Sequence, residues 1–431
     1  MKLLITLSSI FLLFINTVYA QDSLTVEQAI HRVLQIHPAI EQAFANTRAA
    51  EARVSQTSSA KLPDVTTEAD YTHIGPVPAF SFPGFGNLVL APQDNYDAHI
   101  VGRYTAYDFG KTSASVDLSQ SRVQNSRDMV ELTKSNLALQ TIRTFYTIVL
   151  LRKSLLVQDE QIEALNQHLA VTQKRVTAGS ATDFDVLTTQ VRVAASQNQR
   201  VEILNSLQKQ ESIARQLLNL QPNTPLLIRG SFEQTSITLN IDSLLQVAMQ
   251  QRPELKLVRD AEQSAQFQKK LSSLGNMPSL NVNVAYGLKN GYEPNIYAMR
   301  GNWMWGVQAQ VPLFDGGRVS HQEEEAQAAI ESEQAHKQDA EQQIRSDVEQ
   351  TIADVQASWS KVQISEVQFQ QAHEAVSIAR TRYETGSVTN LDLLDAETAE
   401  SSARLMNLQA LYRFVISKYE LSRAVGASFS N

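Results

Sequence analysis

Two hydrophobic periodicities alternate along the chain, and each predicts a different element. From Lys111 to Ala178, and again from Arg318 to Glu384, apolar positions recur at helical spacing without a single proline or glycine. In the second stretch Val348, Val355, Val362, Phe369, Val376 and Tyr383 are spaced by sevens; Thr141, Ile148, Leu155, Ile162, Leu169 and Val176 hold the matching places in the first. A sustained seven-residue apolar repeat predicts helices packed as a coiled coil. Each would run ~100 Å at about 1.5 Å per residue, too long for the interior of one compact domain. The opposite faces, rich in Gln, Ser, Glu and Asn, meet water. Shorter helical patterns cover about 40–61 and 182–217 in the first half. Laid end to end they match one long helix, which predicts one continuous helix beside one broken helix.

Between the helical stretches the period falls to two. Leu280, Val282, Val284 and Tyr286 alternate with Asn281, Asn283 and Ala285. Tyr96, Ala98, Ile100, Tyr104 and Ala106 oppose Asp97, His99, Arg103 and Thr105. Trp303, Trp305, Val307, Ala309 and Val311 oppose Asn302, Gln308 and Gln310; residues 64–74 show the same alternation more weakly. These are strands of about ten residues with one apolar and one polar face.

The pattern occurs twice. His37-Pro38 corresponds to Arg252-Pro253, and Leu62-Pro63 to Met277-Pro278; YDFGK (Tyr107–Lys111) corresponds to FDGGR (Phe314–Arg318), and Gly179 to Gly386. The first copy is longer around Gly75–Pro92. The chain thus divides into a signal peptide (1–20) and repeat 1 (21–220): a helix, strands about 64–74 and 95–107, a long helix about 111–178 and a helix about 182–217. A linker (221–240) leads to repeat 2 (241–426): a helix, strands about 279–287 and 302–313, a long helix about 318–384 and a helix about 389–425, before a tail (427–431). Each repeat is read as helix, two strands, long helix, turn, medium helix.

Composition narrows the setting. The first twenty residues carry one Lys, an apolar core and Val18-Tyr19-Ala20, the form of a secretory signal peptide. The chain has no cysteine, so it has neither a disulfide framework nor a lipid-attachment site after the signal, which points to a bacterial envelope. A net charge of -8 argues against a nucleic-acid partner. After residue 20 no apolar run approaches the ~18 residues of a membrane helix, so a membrane could be crossed only by strands. Strands with one apolar and one polar face suit a barrel with lipid outside and water inside, and their Trp and Tyr suit the membrane interface. Four strands cannot close such a barrel, so copies must share one: two chains give a filled eight-stranded barrel, three a twelve-stranded barrel with a lumen. The fold class expected is a mixed α and β membrane protein.

In this order and spacing, the duplicated unit, the HPAI and RPEL segments, the YDFGK and FDGGR junctions and the glycine turns resemble the TolC-like outer-membrane efflux proteins over essentially the whole mature chain. That resemblance implies a homotrimer with a twelve-stranded β-barrel, four strands per chain, continued by a long α-helical coiled-coil periplasmic tunnel built from two internal structural repeats. It implies an outer-membrane exit duct of a tripartite efflux pump or type I secretion system. Its partners would be a periplasmic adaptor, an inner-membrane transporter and outer-membrane lipid; no enzymatic activity and no cofactor are implied. Two other functions are weighed: a passive porin, which needs no ~100 Å helical extension, and a soluble periplasmic coiled-coil scaffold.

The resemblance also places the sites, at the two turns AGSATDFDVL and TGSVTNLDLLDA. Val176, Gly179, Ser180, Gly386 and Ser387 would form the adaptor-contacting tip. Asp392 and Asp395 would form the pore constriction, and Asp185 and Tyr383 would make tip-closure contacts. The family's best-described member has an Arg two residues after the second Gly; Val388 stands there in this chain, so closure must rely on other contacts. On physical grounds alone, Asp392 and Asp395 share a helix face and are either a pair complementing the helix dipole or, in a threefold assembly, a carboxylate ring that prefers cations and repels itself towards higher pKa. Asp108 and Asp315 read as caps of the long helices. The eight His are scattered, and no nucleotide loop, nucleophile elbow or metal motif is present, so no catalytic and no metal residue is assigned.

Overall fold

The computed structural model describes residues 23–84, 86–235, 240–427 and 429; the signal-peptide expectation lies outside them. The elements are α1 (Val26–Ile36), α2 (Pro38–Ser58), β1 (Asp64–His73), β2 (Ala79–Phe82), β3 (Gly86–Val89), β4 (Asp94–Tyr107), α3 (Lys111–Thr177) and α4 (Asp183–Leu217). They are followed by α5 (Ile241–Gln251), α6 (Pro253–Ser273), β5 (Ser279–Lys289), β6 (Arg300–Gln310), α7 (Arg318–Glu384) and α8 (Asn390–Ala424). Helices of 11, 21, 67 and 35 residues occur in the same order in both halves.

Ahead of the strands there are two helices in each half, where the pattern predicted one. The break falls at His37-Pro38 and at Arg252-Pro253, because proline has no N–H to give to a preceding turn but fits the first turn of a new helix. His37 caps α2 by accepting from the Ala39 N–H at 3.2 Å. The Gly75–Pro92 insertion contains an antiparallel ribbon of its own, β2 with β3, which periodicity did not reveal. β6 stops at Gln310, short of the predicted 313, since Pro312 cannot donate to a ladder.

The chain forms two compact units. One comprises residues up to Val33, Gln140–Thr235 and Ser358–Ile416; the other comprises Leu34–Leu139, Ser236–Ala357 and the residues from Ser417 on. The second unit holds an antiparallel sheet of order β1-β4-β5-β6. Its register puts Tyr71 opposite Tyr96, Ile100 opposite Tyr286, Tyr286 opposite Trp303 and Val284 opposite Trp305. One face is therefore continuously apolar, yet these side chains are exposed, Trp303 by 70% and Tyr286 by 66%. The other face is polar and cross-linked between strands: Lys289 donates to Asp97 at 2.8 Å, His99 meets Asp97 and also Asn302, and Arg103 pairs with Glu68. β1 and β6 are the sheet's edges.

Strand passes to long helix through matched caps. Asp108 accepts from the N–H groups of Gly110 (3.1 Å) and Thr112 (2.7 Å); Asp315 accepts from those of Gly317 and Val319 (both 3.0 Å). These bonds hold both carboxyls below the usual range, against desolvation at Asp108. Gly316 has φ +69°, and at the matching place in the first half Phe109 takes φ +54°, a conformation that disfavours a side chain. In the same unit the Arg252 guanidinium is buried and bonds Glu254 (3.1 Å), Asp347 (3.2 Å) and the Ala424 carbonyl (3.4 Å).

In the first unit, Leu165, Val193 and Leu394 form a buried cluster and Trp359 lies 5.0 Å from Phe414. The expected linker is docked here: Leu24 and Ile228 form a parallel bridge, and Arg152 donates to the Leu226 carbonyl and to Glu211, both at 2.7 Å. Of the seven-spaced positions, Val348, Val355, Val362, Val376 and Tyr383 are buried on α7 and Phe369 half-buried. On α3 only Thr141 and Ile148 are buried; Leu155, Ile162, Leu169 and Val176 are half-buried, while Ser154, Gln158, Leu165, His168 and Thr172 are buried instead.

Candidate functional site

The two hairpin turns lie in the first unit, and each is built the same way. α3 ends in a left-handed glycine, Gly179 (φ +70°), with the Ser180 N–H donating back to the Arg175 carbonyl at 2.9 Å. α7 ends in Gly386 (φ +73°), with Ser387 N–H on the Arg382 carbonyl at 2.8 Å. This is the Schellman close, which satisfies carbonyls that the helix end leaves open. Three residues on, a threonine starts the return helix. Thr182 and Asp185 form a capping box, the Thr182 N–H and hydroxyl donating to Asp185 Oδ2 at 2.8 and 2.7 Å. Thr389 and Asp392 repeat it at 2.8 and 2.7 Å. Gly179, Ser180, Gly386 and Ser387 are exposed and Val176 is half-exposed.

The aspartates are therefore cap residues first. Asp185 and Asp392 occupy equivalent positions, and both carboxylates are turned onto their own threonines. The Thr389 bonds hold the Asp392 carboxyl below its usual range. Asp395 is exposed and paired: Arg192 of α4 donates to its Oδ1 at 2.8 Å.

Tyr383 is buried, with the Arg175 guanidinium 4.3 Å above its ring and the His168 ring 5.1 Å away. Arg175 also donates to the Tyr383 and Glu384 carbonyls at 3.0 and 3.2 Å, closing the C-terminal end of α7. The neighbourhoods of Tyr383 and Asp185 are joined through Asn390. Its Nδ2 donates to the Asp185 carbonyl (3.2 Å) and to the Thr188 and Thr189 hydroxyls (both 3.4 Å). With Nδ2 so committed, Oδ1 faces His168 Nε2 at 2.7 Å, and that nitrogen must carry the proton. The structure thus brings the buried Tyr383, His168 and Asn390 together with the carbonyl of the half-buried Asp185, tying the first hairpin to the second.

Sequence reasoning missed Arg175, His168, Arg192 and Asn390. The signal for Arg192 was available: Asp395 has no counterpart in the first copy, where Thr188 stands, and an unmatched acid calls for a base. His168 and Asn390 gave no signal, because polar residues on amphipathic helices usually face water.

A model of the outer membrane efflux protein family matches residues 29–220 and 244–427. The outer membrane protein TolC of Vibrio cholerae is 22% identical over 317 residues, covering 72% of this chain and 72% of that protein. The proteases secretion protein PrtF of Dickeya chrysanthemi is 21% identical, covering 76% of this chain and 72% of that protein. Among solved structures, the outer membrane protein VceC of Vibrio cholerae superposes with a TM-score of 0.78 at 19% identity, covering 94% of this chain and 96% of that one. With mainly helical units, a small antiparallel sheet of exposed apolar face, and the family's pattern matched in both halves, the chain belongs to the outer membrane efflux protein family and is an outer-membrane channel for export.

Proposed function

We propose that three copies of the chain close a twelve-stranded β-barrel in the outer membrane, each giving β1, β4, β5 and β6. The carrying observation is the sheet: its apolar face is exposed, and its two edges, β1 and β6, are each paired on one side only among the described residues. In lipid, unpaired backbone edges cost several kcal/mol per group, so β6 of one copy must pair with β1 of the next. The 67-residue helices continue the barrel as a periplasmic coiled-coil tunnel, and the recurrence of 11-, 21-, 67- and 35-residue helices supports a duplicated unit, 21–220 and 241–426. No helix among the described residues is long and apolar enough to cross a membrane, so the span is assigned to strands.

The chain serves as the exit duct of a tripartite efflux pump or type I secretion system. An inner-membrane transporter delivers the cargo, and a periplasmic adaptor grips Val176, Gly179, Ser180, Gly386 and Ser387 and opens the tip. Asp392 and Asp395 set the constriction. Closure contacts centre on Tyr383 and on Asp185 through its carbonyl. Crosslinking in intact cells followed by membrane fractionation tests the assembly. The expected result is a three-subunit ladder in the outer-membrane fraction with an adaptor attached. Recovery as a monomer in the soluble periplasm would refute it.

A further inference from the structure

The four-stranded sheet repeats its own pairing. Two offsets relate its halves: Leu62-Pro63 recurs 215 residues on as Met277-Pro278, and Asp108 recurs 207 residues on as Asp315. Carried by these offsets, β1 falls on β5 and β4 on β6. The hydrogen-bonded register follows them. Asp64 opposite Arg103, Thr67 opposite Ile100 and Tyr71 opposite Tyr96 become Ser279 opposite Gln310, Val282 opposite Val307 and Tyr286 opposite Trp303, and those are the pairs that β5 and β6 make. The two hairpins therefore share one register. The pairing of β4 with β5 is the joint from one hairpin to the next. It sets Ile100 opposite Tyr286, Arg103 opposite Asn283 and Tyr107 opposite Leu280.

In the three-copy barrel proposed above, on which this step rests, hairpin meets hairpin both within a copy and between copies. A closed barrel links strand tilt and stagger all round, so like hairpins meet through like joints. We infer that β6 pairs with β1 of the next copy in the register that β4 uses with β5. The same offsets then place Val307 opposite Tyr71 of the next copy, Gln310 opposite its Glu68 and Phe314 opposite its Val65. The side chains suit these places. A β-branched residue faces tyrosine in Ile100–Tyr286 and again in Val307–Tyr71; an aromatic ring faces an aliphatic chain in Tyr107–Leu280 and again in Phe314–Val65. The faces agree as well: Glu68 and Gln310 both belong to the polar face, Tyr71 and Val307 to the apolar one. A slip of one residue would turn one strand's apolar set into the lumen, so only slips of two are open to competition. Pro312, which cannot donate to a ladder, falls at the counterpart of Thr105, where the β4–β5 register breaks. In the single chain these edge positions are uncovered: Phe314 is 91% exposed and Val65 65%.

Disulfide crosslinking in isolated outer membranes tests the register, in a chain with no cysteine of its own. Within one copy β1 and β6 are separated by three strand spacings, about 14 Å, and a disulfide needs Cα atoms within ~7 Å, so a bond between them joins two copies. Val307→Cys is combined in turn with Ala69→Cys, Tyr71→Cys and His73→Cys. The Tyr71 combination should give a ladder of linked dimers and trimers, several-fold stronger than either neighbour, because residues two out of register sit ~7–8 Å apart. On the polar face, Gln308→Cys should likewise prefer Asp70→Cys over Glu68→Cys and Thr72→Cys; this second series carries the comparison if the Tyr71 variant does not fold. A stronger bond at Ala69 or His73 overturns the register and leaves the shared barrel standing. So does the absence of every bond while amine crosslinking still yields a three-subunit species. Absence of both the bonds and that species overturns the register and the barrel together.

Discussion

Asn390 shows how much one side chain can decide at the hairpin turns. It is a buried amide whose donors and acceptor are all used; it stands on the second hairpin and its partners all stand on the first. Truncation leaves His168 Nε2 without its acceptor, while the Asp185 carbonyl keeps the Thr188 and Thr189 hydroxyls; an unsatisfied buried polar group costs about 1–3 kcal/mol. Asn390→Ala should therefore lower the denaturation midpoint of the folded chain by an amount in that range, while Ser387→Ala, at an exposed position, should leave it nearly unchanged. Chemical denaturation followed by tryptophan fluorescence distinguishes them; equal midpoints for wild type and Asn390→Ala would remove the cluster from any role in holding the hairpins.

At the scale of elements, the packing of α6 on α3 contains a titrating contact. Asp260 is 9% exposed with Oδ2 unpartnered among the described residues, and burial first, then the neighbouring Asp128 carboxylate, pushes its pKa up to about 7. The folded chain thus holds a proton that an unfolded aspartate, with an ordinary value of 3.8, would have released. This contribution to stability is full below the unfolded value and is lost as pH rises through about 7. Asp260→Asn, which keeps the shape without the charge, should raise the melting temperature relative to wild type at pH 8.5 and give little gain at pH 5. Thermal melts at both pH values check it, and an equal effect at both would show that Asp260 is already ionised in the fold. The helix caps run the other way: Asp108, Asp315 and Asp392 have lowered values, so what they contribute is lost as pH falls.

For the whole channel, the turns carry mixed charge where the sequence suggested acid alone. Asp392 is engaged by Thr389, and Asp395 is paired with Arg192. If these residues border the pore, cation preference reflects the balance of the three. Asp392→Asn with Asp395→Asn should reduce cation selectivity in planar-bilayer conductance and weaken block by multivalent cations, whereas Arg192→Gln should increase both. Selectivity untouched by all three substitutions would place the constriction elsewhere.

Much of this architecture is legible in the sequence because it rests on short-range rules. A heptad pattern uninterrupted by proline or glycine specifies a long helix whatever surrounds it. Alternating strands with Trp and Tyr on one side specify a two-faced sheet. Glycine followed three residues later by threonine, and by aspartate after a further three, specifies a turn and a capped return helix, and it does so at both Gly179 and Gly386. The ribbon at Ala79–Val89 escaped, since two four-residue strands carry too few positions to show a period. Which residues meet across elements was not legible. The burial of His168 and Asn390, the choice of Arg192 as partner for Asp395 and the docking of the linker through Arg152 depend on the register between helices far apart in the chain. Local pattern fixes which way each side chain points on its own helix; only packing decides what it finds there.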